Sequence, residues 1–149
     1  MYVRQMLVSD VDRVYEIACL SLEESYVREV FLYFIAGWSR GQLVVLDDLG
    51  YIIGFLSGAK ITPEKATILL FAVDQRYRKK GAGSRMMEEF RARALMEGMQ
   101  YIQLEVKEAN AAATSFYKKA GFTIADRLEN FYQDGCAAVR MIRSVHRNS

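Results

Sequence analysis

A basic stretch in the middle of the chain combines the residue types that hold a phosphate group. Its sequence is Arg78-Lys79-Lys80-Gly81-Ala82-Gly83-Ser84, and it lies between a short apolar run and a helical pattern of apolar residues. Glycine lets the backbone turn tightly and approach a ligand closely. The first N–H groups of a helix are free and carry partial positive charge. With the three cationic side chains, these features predict a phosphate-binding loop at a helix N-terminus.

The spacing of the glycines distinguishes this loop from two other phosphate loops. Gly83 is followed by Ser84-Arg85 and not by the Lys-Ser or Lys-Thr pair of a Walker loop. The three spaced glycines of a dinucleotide-binding fold are also absent from this stretch. Taken alone, the pattern is also compatible with an ordinary basic turn in front of an amphipathic helix.

A second group of candidate residues lies further along the chain, at 104–122. Glu105 stands between Leu104 and Val106, so on a strand its side chain points away from theirs and can face a cleft. Tyr117 lies seven residues after Asn110, which puts both near one face of a helix. A carboxylate and a phenol so placed can act as general base and general acid. The alternative is a solvated carboxylate at a strand end and an aromatic residue of the core.

The composition excludes several classes of protein. The 149 residues carry a net charge of +2, which is too small to indicate a nucleic-acid partner, and 52% hydrophobic residues are typical of a globular chain. Cys19 and Cys136 match no metal or redox spacing, so no metal site is predicted. No apolar run approaches the roughly 20 residues of a membrane span, and Arg4 and Asp10 interrupt any signal peptide. We therefore expect a cytoplasmic protein without a membrane partner.

The periodicity of apolar residues predicts the elements that position these candidates. Ser9 is the predicted N-cap of the first helix, whose buried stripe begins at Val11. Residues 144–149 have no pattern and are predicted to form a flexible tail. The other predicted helices lie at 26–36, 83–98 and 110–120, and the predicted strands at 2–6, 42–46, 51–61, 66–73, 101–106, 123–128 and 137–143.

Because helices do not alternate with every strand in this order, a doubly wound sheet is excluded. The expected fold is of the α/β (α+β) class. It is a single domain over 1–149, with a mixed, mostly antiparallel sheet of about seven strands and about four helices on both faces.

Both motifs resemble those of the GNAT acetyltransferase superfamily. Residues 78–83 fit its Arg-x-x-Gly-x-Gly loop, and 104–122, LEVKEANAAATSFYKKAGF, is similar to its second signature in the form carried by N-terminal protein acetyltransferases. The bacterial ribosomal-protein-alanine acetyltransferases share the Glu105 and Tyr117 positions. The resemblance covers nearly the whole chain.

Two loops extend the resemblance to the N-terminal acetyltransferase A family. Residues 22–26, LEESY, are similar to its LPENY segment, and 130–135, NFYQDG, to its YYxDGEDA loop. Glu23 replaces the proline of the first, and Cys136-Ala137 replaces the Glu-Asp of the second. Both departures fall on the acceptor side, so they bear on the substrate and not on the cofactor.

The resemblance implies roles for individual residues. The main chain of Phe71-Ala72-Val73 would pair with the pantetheine arm of acetyl-CoA, with an N–H near Val73 polarising the thioester. Residues 79–84 would hold the pyrophosphate, and Asn110 would bond the cofactor. Glu105 would be the base and Tyr117 the acid. The matching family position makes Glu24 a rival base, and the acceptor groove would be lined by Glu24, Tyr26, Phe131 and Tyr132.

The expected activity is transfer of acetyl from acetyl-CoA to the N-terminal α-amine of proteins or peptides. Because no Cys or Ser stands in a nucleophile arrangement, we expect direct attack in a ternary complex. Two alternatives stay open: acetylation of a lysine side chain or small amine, and a non-catalytic module that binds acetyl-CoA. Expected partners are the acceptor N-terminus and an auxiliary subunit or a second copy in a homodimer.

Overall fold

The computed structural model describes residues 1–147, which form seven strands and four α-helices around one sheet. The helices are α1 (Val11–Ser21), α2 (Glu29–Gly37), α3 (Ala82–Met96) and α4 (Ala111–Lys119). The strands are β1 (Tyr2–Gln5), β2 (Gln42–Leu46), β3 (Ile52–Thr62), β4 (Lys65–Val73), β5 (Tyr101–Lys107), β6 (Thr123–Leu128) and β7 (Ala138–Ser144).

The strands are arranged in the order β1-β2-β3-β4-β5-β7-β6. Neighbours are antiparallel throughout, with the exception of the parallel pair β4 and β5. The predicted mixed, mostly antiparallel sheet is therefore confirmed.

The two faces of the sheet carry separate cores. Leu43 and Val45 of β2 pack in the core that lies under α3, and Val44 and Leu46 pack in the core under α1 and α2. Because both faces are covered, β2 is apolar from Leu43 to Leu46, and its first residue, Gln42, is a buried polar one. The predicted placement of helices on both faces is confirmed.

The parallel pair in the middle of the sheet is short. It runs only from Lys65 opposite Tyr101 to Thr67 opposite Gln103. Beyond that point, β4 continues to Val73 and β5 to Lys107, and within the described residues the two strands no longer pair with each other. The sheet therefore opens into a cleft between the second halves of β4 and β5.

A β-bulge at Leu69 accompanies this opening. Ser57 of β3 lies opposite Leu70 and Gly58 opposite Ile68, which leaves Leu69 without a partner on β3. An extra residue bends its strand and reverses which side chains face which side. Ile68 accordingly packs in the core under α3, whereas Leu70 packs in the core under α1.

The start of α1 differs from the prediction. A 3-10 turn at Val8–Asp10 precedes the helix, so Ser9 is not its N-cap. Asp10 is buried and accepts the Leu7 N–H at 2.7 Å, while Arg4 binds its two carboxylate oxygens. A buried, ion-paired carboxylate satisfies the turn better than an exposed serine, and it fixes the entry to the helix.

The prediction of a flexible tail at 144–149 is wrong for its first two residues. Ser144 is the last residue of β7, and Val145 is fully buried, with its N–H bonded to the Gln100 carbonyl and its carbonyl bonded to Arg91 Nη1 at 2.6 Å. Residues 144 and 145 are thus part of the fold. Asn148 and Ser149 lie outside the described residues.

A membrane span requires a long apolar helix, and none of the helices within residues 1–147 is both long and apolar enough.

Candidate active site

The opening between β4 and β5 forms a cleft with two connected arms. The basic arm, about 700 Å³, is lined by the end of β4, by residues 77–79 and 81–84 and by α4. The acidic arm, about 430 Å³, is lined by residues 21–26, by β5 and by Phe131 and Tyr132 of the β6–β7 loop. The residues that line both arms are Ser21, Leu22, Phe71, Asn110, Ala113 and Tyr117.

Backbone conformation makes the basic arm suited to an anion. Lys79 and Gly81 both have positive φ, 65° and 87°. Alternation of left-handed with other conformations turns successive N–H groups toward one side, which forms an anion-binding concavity. In the described part of the chain, no side chain caps α3, so its first N–H groups are uncapped, and the residues that carry them, Ala82, Gly83 and Ser84, line the arm.

Gly83 allows α3 to begin close to β4. A Cβ at this position would lie 3.2 Å from the Phe71 ring and 3.3 Å from the Phe116 ring. A larger side chain would push these aromatic rings away from the floor of the basic arm. Gly83 is therefore needed for close packing, whereas Gly81 is needed for its positive φ.

A buried carboxylate fixes the turn that joins β4 to this loop. Asp74 accepts hydrogen bonds from the Arg76 side chain and backbone and from Arg13 Nη2, at 2.9–3.0 Å. Bonding to Arg76, more than to Arg13, holds the pKa of Asp74 well below its usual value. Arg78 Nε donates to the Val73 carbonyl at 3.2 Å and so holds the loop against the strand end.

The predicted cofactor residues gather in the basic arm. It is lined by Phe71, Ala72, Val73, Arg78, Lys79, Gly81, Ala82, Gly83, Ser84 and Asn110. Lys80 does not line it; its ammonium lies 5.6 Å from the centre of the Tyr77 ring. Asn110 Oδ1 caps α4 by accepting the Ala113 N–H at 3.0 Å. The amide nitrogen of Asn110 is left to donate to a ligand.

Tyr117 lies at the junction of the two arms. Its ring packs among Phe71, Phe116 and Phe122, with centroids 5.4–6.2 Å apart. Its hydroxyl has no hydrogen-bond partner among residues 1–147. Burial, with a smaller contribution from Tyr132, raises the pKa of Tyr117 to about 12. The phenol therefore keeps its proton at neutral pH and can donate it.

Glu105 faces the acidic arm from β5, as its strand position predicts. Leu104 and Val106 are buried in the core on the other side of the sheet. Glu105 Oε1 accepts from Arg140 Nε at 2.9 Å and from Gln103 Nε2 at 3.1 Å. The second oxygen, Oε2, has no partner in the described range and is available to a water or an amine.

Aromatic residues and Glu24 form the outer part of the acidic arm. Glu24 is exposed, and the Tyr26 hydroxyl lies 3.5 Å from its Oε2. Phe131 and Tyr132 pack edge to face at 5.0 Å. Burial and the nearby Glu24 raise the pKa of Tyr26 and of Tyr132. All four predicted acceptor residues thus line the same arm as Glu105.

An ion cluster ties the two loops of the acidic arm together. Lys107 Nζ bonds Glu23 Oε2 at 2.8 Å and Asp134 Oδ2 at 2.9 Å, and it lies 5.4 Å from the centre of the Tyr132 ring. Glu23 follows α1, and Asp134 belongs to the β6–β7 loop, so Lys107 at the end of β5 joins three segments. These bonds raise the pKa of Lys107 well above its usual value.

Three residues of this region, Leu69, Arg140 and Lys107, are not among those predicted from the sequence. Arg140 lies directly opposite Glu105 in the β5–β7 register, which no local pattern reveals. Lys107 stands two residues after Glu105 and therefore faces the same side of the strand. That alternation was the one signal in the sequence that could have indicated Lys107.

Comparison with known proteins identifies the family of this chain. A model of the acetyltransferase (GNAT) family matches residues 11–122. N-alpha-acetyltransferase 30 of Schizosaccharomyces pombe is 31% identical over 124 residues, which are 81% of this chain and 83% of that protein. The N-alpha-acetyltransferase of Sulfurisphaera tokodaii is 27% identical over 145 residues, 89% of this chain and 86% of that protein.

The solved structure of Ard1 from Thermoplasma volcanium has a TM-score of 0.92 and 37% identity, and the match covers 97% of both chains. The predicted GNAT fold is thereby confirmed. The family match spans both motifs that line the cleft: the glycine-containing loop at 78–84, and the whole segment 104–122 with Glu105, Asn110 and Tyr117. The chain belongs to the acetyltransferase (GNAT) family and is an N-acetyltransferase.

Proposed function

We propose that this protein transfers the acetyl group of acetyl-CoA to the N-terminal α-amine of proteins and peptides. The observation that carries the proposal is the junction of the two arms. There a protonated phenol, Tyr117, lies between a basic arm that fits a diphosphate and an acidic arm that fits an amine. Relatives named N-alpha-acetyltransferase support the choice of acceptor.

The residues of the basic arm fit acetyl-CoA, the cosubstrate of the family. The positive φ of Lys79 and Gly81 and the uncapped start of α3 suit the pyrophosphate. The edge of β4 at 71–73 is free of β5 and can pair with the extended pantetheine chain. When bound, acetyl-CoA supplies the acetyl group as an activated thioester.

Glu105 is the proposed base. Its Oε1 is fixed by Arg140 and Gln103, so its free Oε2 has a defined position from which to accept the proton of the amine, directly or through a water. An α-amine has a pKa near 7.7–8.0, against about 10.4 for lysine, so a modest base is enough. Glu24 is the alternative base, although its carboxylate is exposed and has only a weak contact with Tyr26.

Tyr117 is the proposed acid. It holds a proton at its hydroxyl and donates it to the sulfur of coenzyme A as the carbon–sulfur bond breaks and the new carbon–nitrogen bond forms. Direct attack fits this arrangement, because neither Cys19 nor Cys136 is among the described residues that line the arms.

The test is a panel of acceptors assayed by thiol release from acetyl-CoA. Short peptides with free N-termini beginning Ser, Ala, Met or Glu are each compared with an N-terminally blocked copy that contains lysine. We expect activity only on the free termini. Activity on blocked lysine peptides or on polyamines would reassign the protein to lysine or small-amine acetylation. Tight acetyl-CoA binding without turnover on any acceptor would support a non-catalytic binding module.

Two further expectations remain predictions. A protein or peptide N-terminus as acceptor is consistent with cytoplasmic action, and fractionation of cells that express the chain tests this. An auxiliary subunit or a homodimer is tested by the mass of the native particle, measured by light scattering.

A further inference from the structure

The charged side chains of the acidic arm and its rim do not balance. They comprise four carboxylates and two cations: Glu23, Glu24, Glu105 and Asp134 against Lys107 and Arg140. At neutral pH this leaves two negative charges where the acceptor must enter. Neither cation is free, because Lys107 is bonded to Glu23 and Asp134, and Arg140 is bonded to Glu105.

We propose that this arrangement selects acceptors by charge and disfavours N-termini whose second and third residues are acidic. The inference rests on the proposed function. The negative arm attracts the acceptor α-amine as an ammonium and repels a carboxylate that follows it closely. Non-acidic residues after the first position are therefore the preferred acceptor class.

Lys107 determines this selection. Its side chain is only 24% exposed, and an acidic acceptor would have to displace Glu23 or Asp134 to reach its ammonium. Two intramolecular carboxylates at 2.8 and 2.9 Å, on loops that the same ammonium joins, are difficult for a mobile peptide side chain to replace. The cation that could recognise an acidic acceptor is thus occupied by the protein itself.

Two variants break the same ion cluster and change its charge in opposite directions. Lys107→Met makes the arm more negative by one unit. The double variant Glu23→Gln with Asp134→Asn makes it more positive by two units and frees the Lys107 ammonium. Asn at 134 keeps a side-chain oxygen that can accept the Cys136 N–H, now at 3.0 Å. Lys60→Met is the control, because it breaks the Lys60–Glu97 pair and neither of these residues lines either arm.

The measured quantity is the ratio of kcat/KM for two peptides that differ only at residues two and three, Gln-Gln against Glu-Glu, at low ionic strength. For the unchanged protein we expect a ratio of roughly 10 in favour of Gln-Gln. Lys107→Met should raise the ratio by about threefold, the double variant should lower it to about 1, and Lys60→Met should leave it unchanged.

Other outcomes overturn the inference. If both cluster variants lower kcat/KM for the two peptides alike, the cluster only holds the loops and does not select by charge. A ratio near 1 in the unchanged, active protein would also mean that the cluster does not select acceptors by charge. If the unchanged protein acetylates neither peptide nor any other free N-terminus, the proposed function fails, and this inference fails with it.

Discussion

The two arms of the cleft are built in different ways. The basic arm comes largely from one continuous segment, 71–84, and depends on backbone conformation at Lys79 and Gly81. The acidic arm is assembled from side chains of segments far apart in the chain, and ion pairs hold them in place. The first arm faces a cosubstrate that never changes, and the second faces acceptors that differ in sequence.

The two arms should therefore respond differently to substitutions. A site made of backbone N–H groups is lost when the backbone conformation is lost, but it tolerates changes in many side chains. A site made of side-chain charges changes its preference when one charge changes. Cosubstrate binding and acceptor choice should therefore be separable by mutation.

The largest expected effect is on the basic arm. Gly81→Val places a β-branched residue at a φ of 87°, which costs a few kcal/mol or forces the loop out of its conformation. We expect kcat/KM for acetyl-CoA to fall by roughly 1,000-fold, with the peptide KM little changed. Gly50→Val is a matched control, because Gly50 also has a φ of 87° but lies in the β2–β3 turn. An equal loss in both variants would mean that general destabilisation is the cause.

A smaller effect is expected in the acidic arm, where two carboxylates compete for the role of base. Glu105→Gln should lower kcat by about 100-fold, because the amide cannot accept the amine proton. Glu24→Gln should lower it by less than about fivefold, because this exposed carboxylate has only a weak contact to hold it. Steady-state kinetics with saturating acetyl-CoA measures both. The reverse order of the two effects would assign the base to Glu24.

The smallest effect concerns the alkaline limb of the pH profile. The pKa of Tyr117 is raised from 10.0 to about 12, so its acid form persists well above the pH at which an ordinary tyrosine ionises. We therefore expect kcat at saturating substrates to show no decrease near pH 10 that depends on Tyr117. A decrease with an apparent pKa near 10, lost in Tyr117→Phe, would contradict the raised pKa of this phenol.

The difference between the two arms also explains which features could be predicted from the sequence. Glycine spacing and a helix start are local, and they were enough to predict the phosphate loop. Alternation along one strand was enough to place Glu105 opposite to Leu104 and Val106. The order of elements predicted the sheet and its helices, and β2 and β6 were predicted with their observed bounds.

What could not be predicted depends on contacts between distant segments. The bulge at Leu69 appears only when β4 is aligned with β3, and Arg140 meets Glu105 only through the β5–β7 register. The Lys107 cluster needs three segments at once. Val145 was assigned to a tail because its burial depends on Arg91 and Gln100, which belong to other elements.

The two arms meet at Tyr117, and we propose that this phenol completes the transfer. The most direct test is Tyr117→Phe, in which acetyl-CoA affinity is measured by calorimetry and turnover with a free N-terminal peptide. If Tyr117 is the acid, kcat should fall by about 100-fold while the acetyl-CoA Kd and the peptide KM change by less than about twofold. Unchanged turnover would rule out this role for Tyr117, as would a loss of acetyl-CoA affinity that accounts for the whole effect.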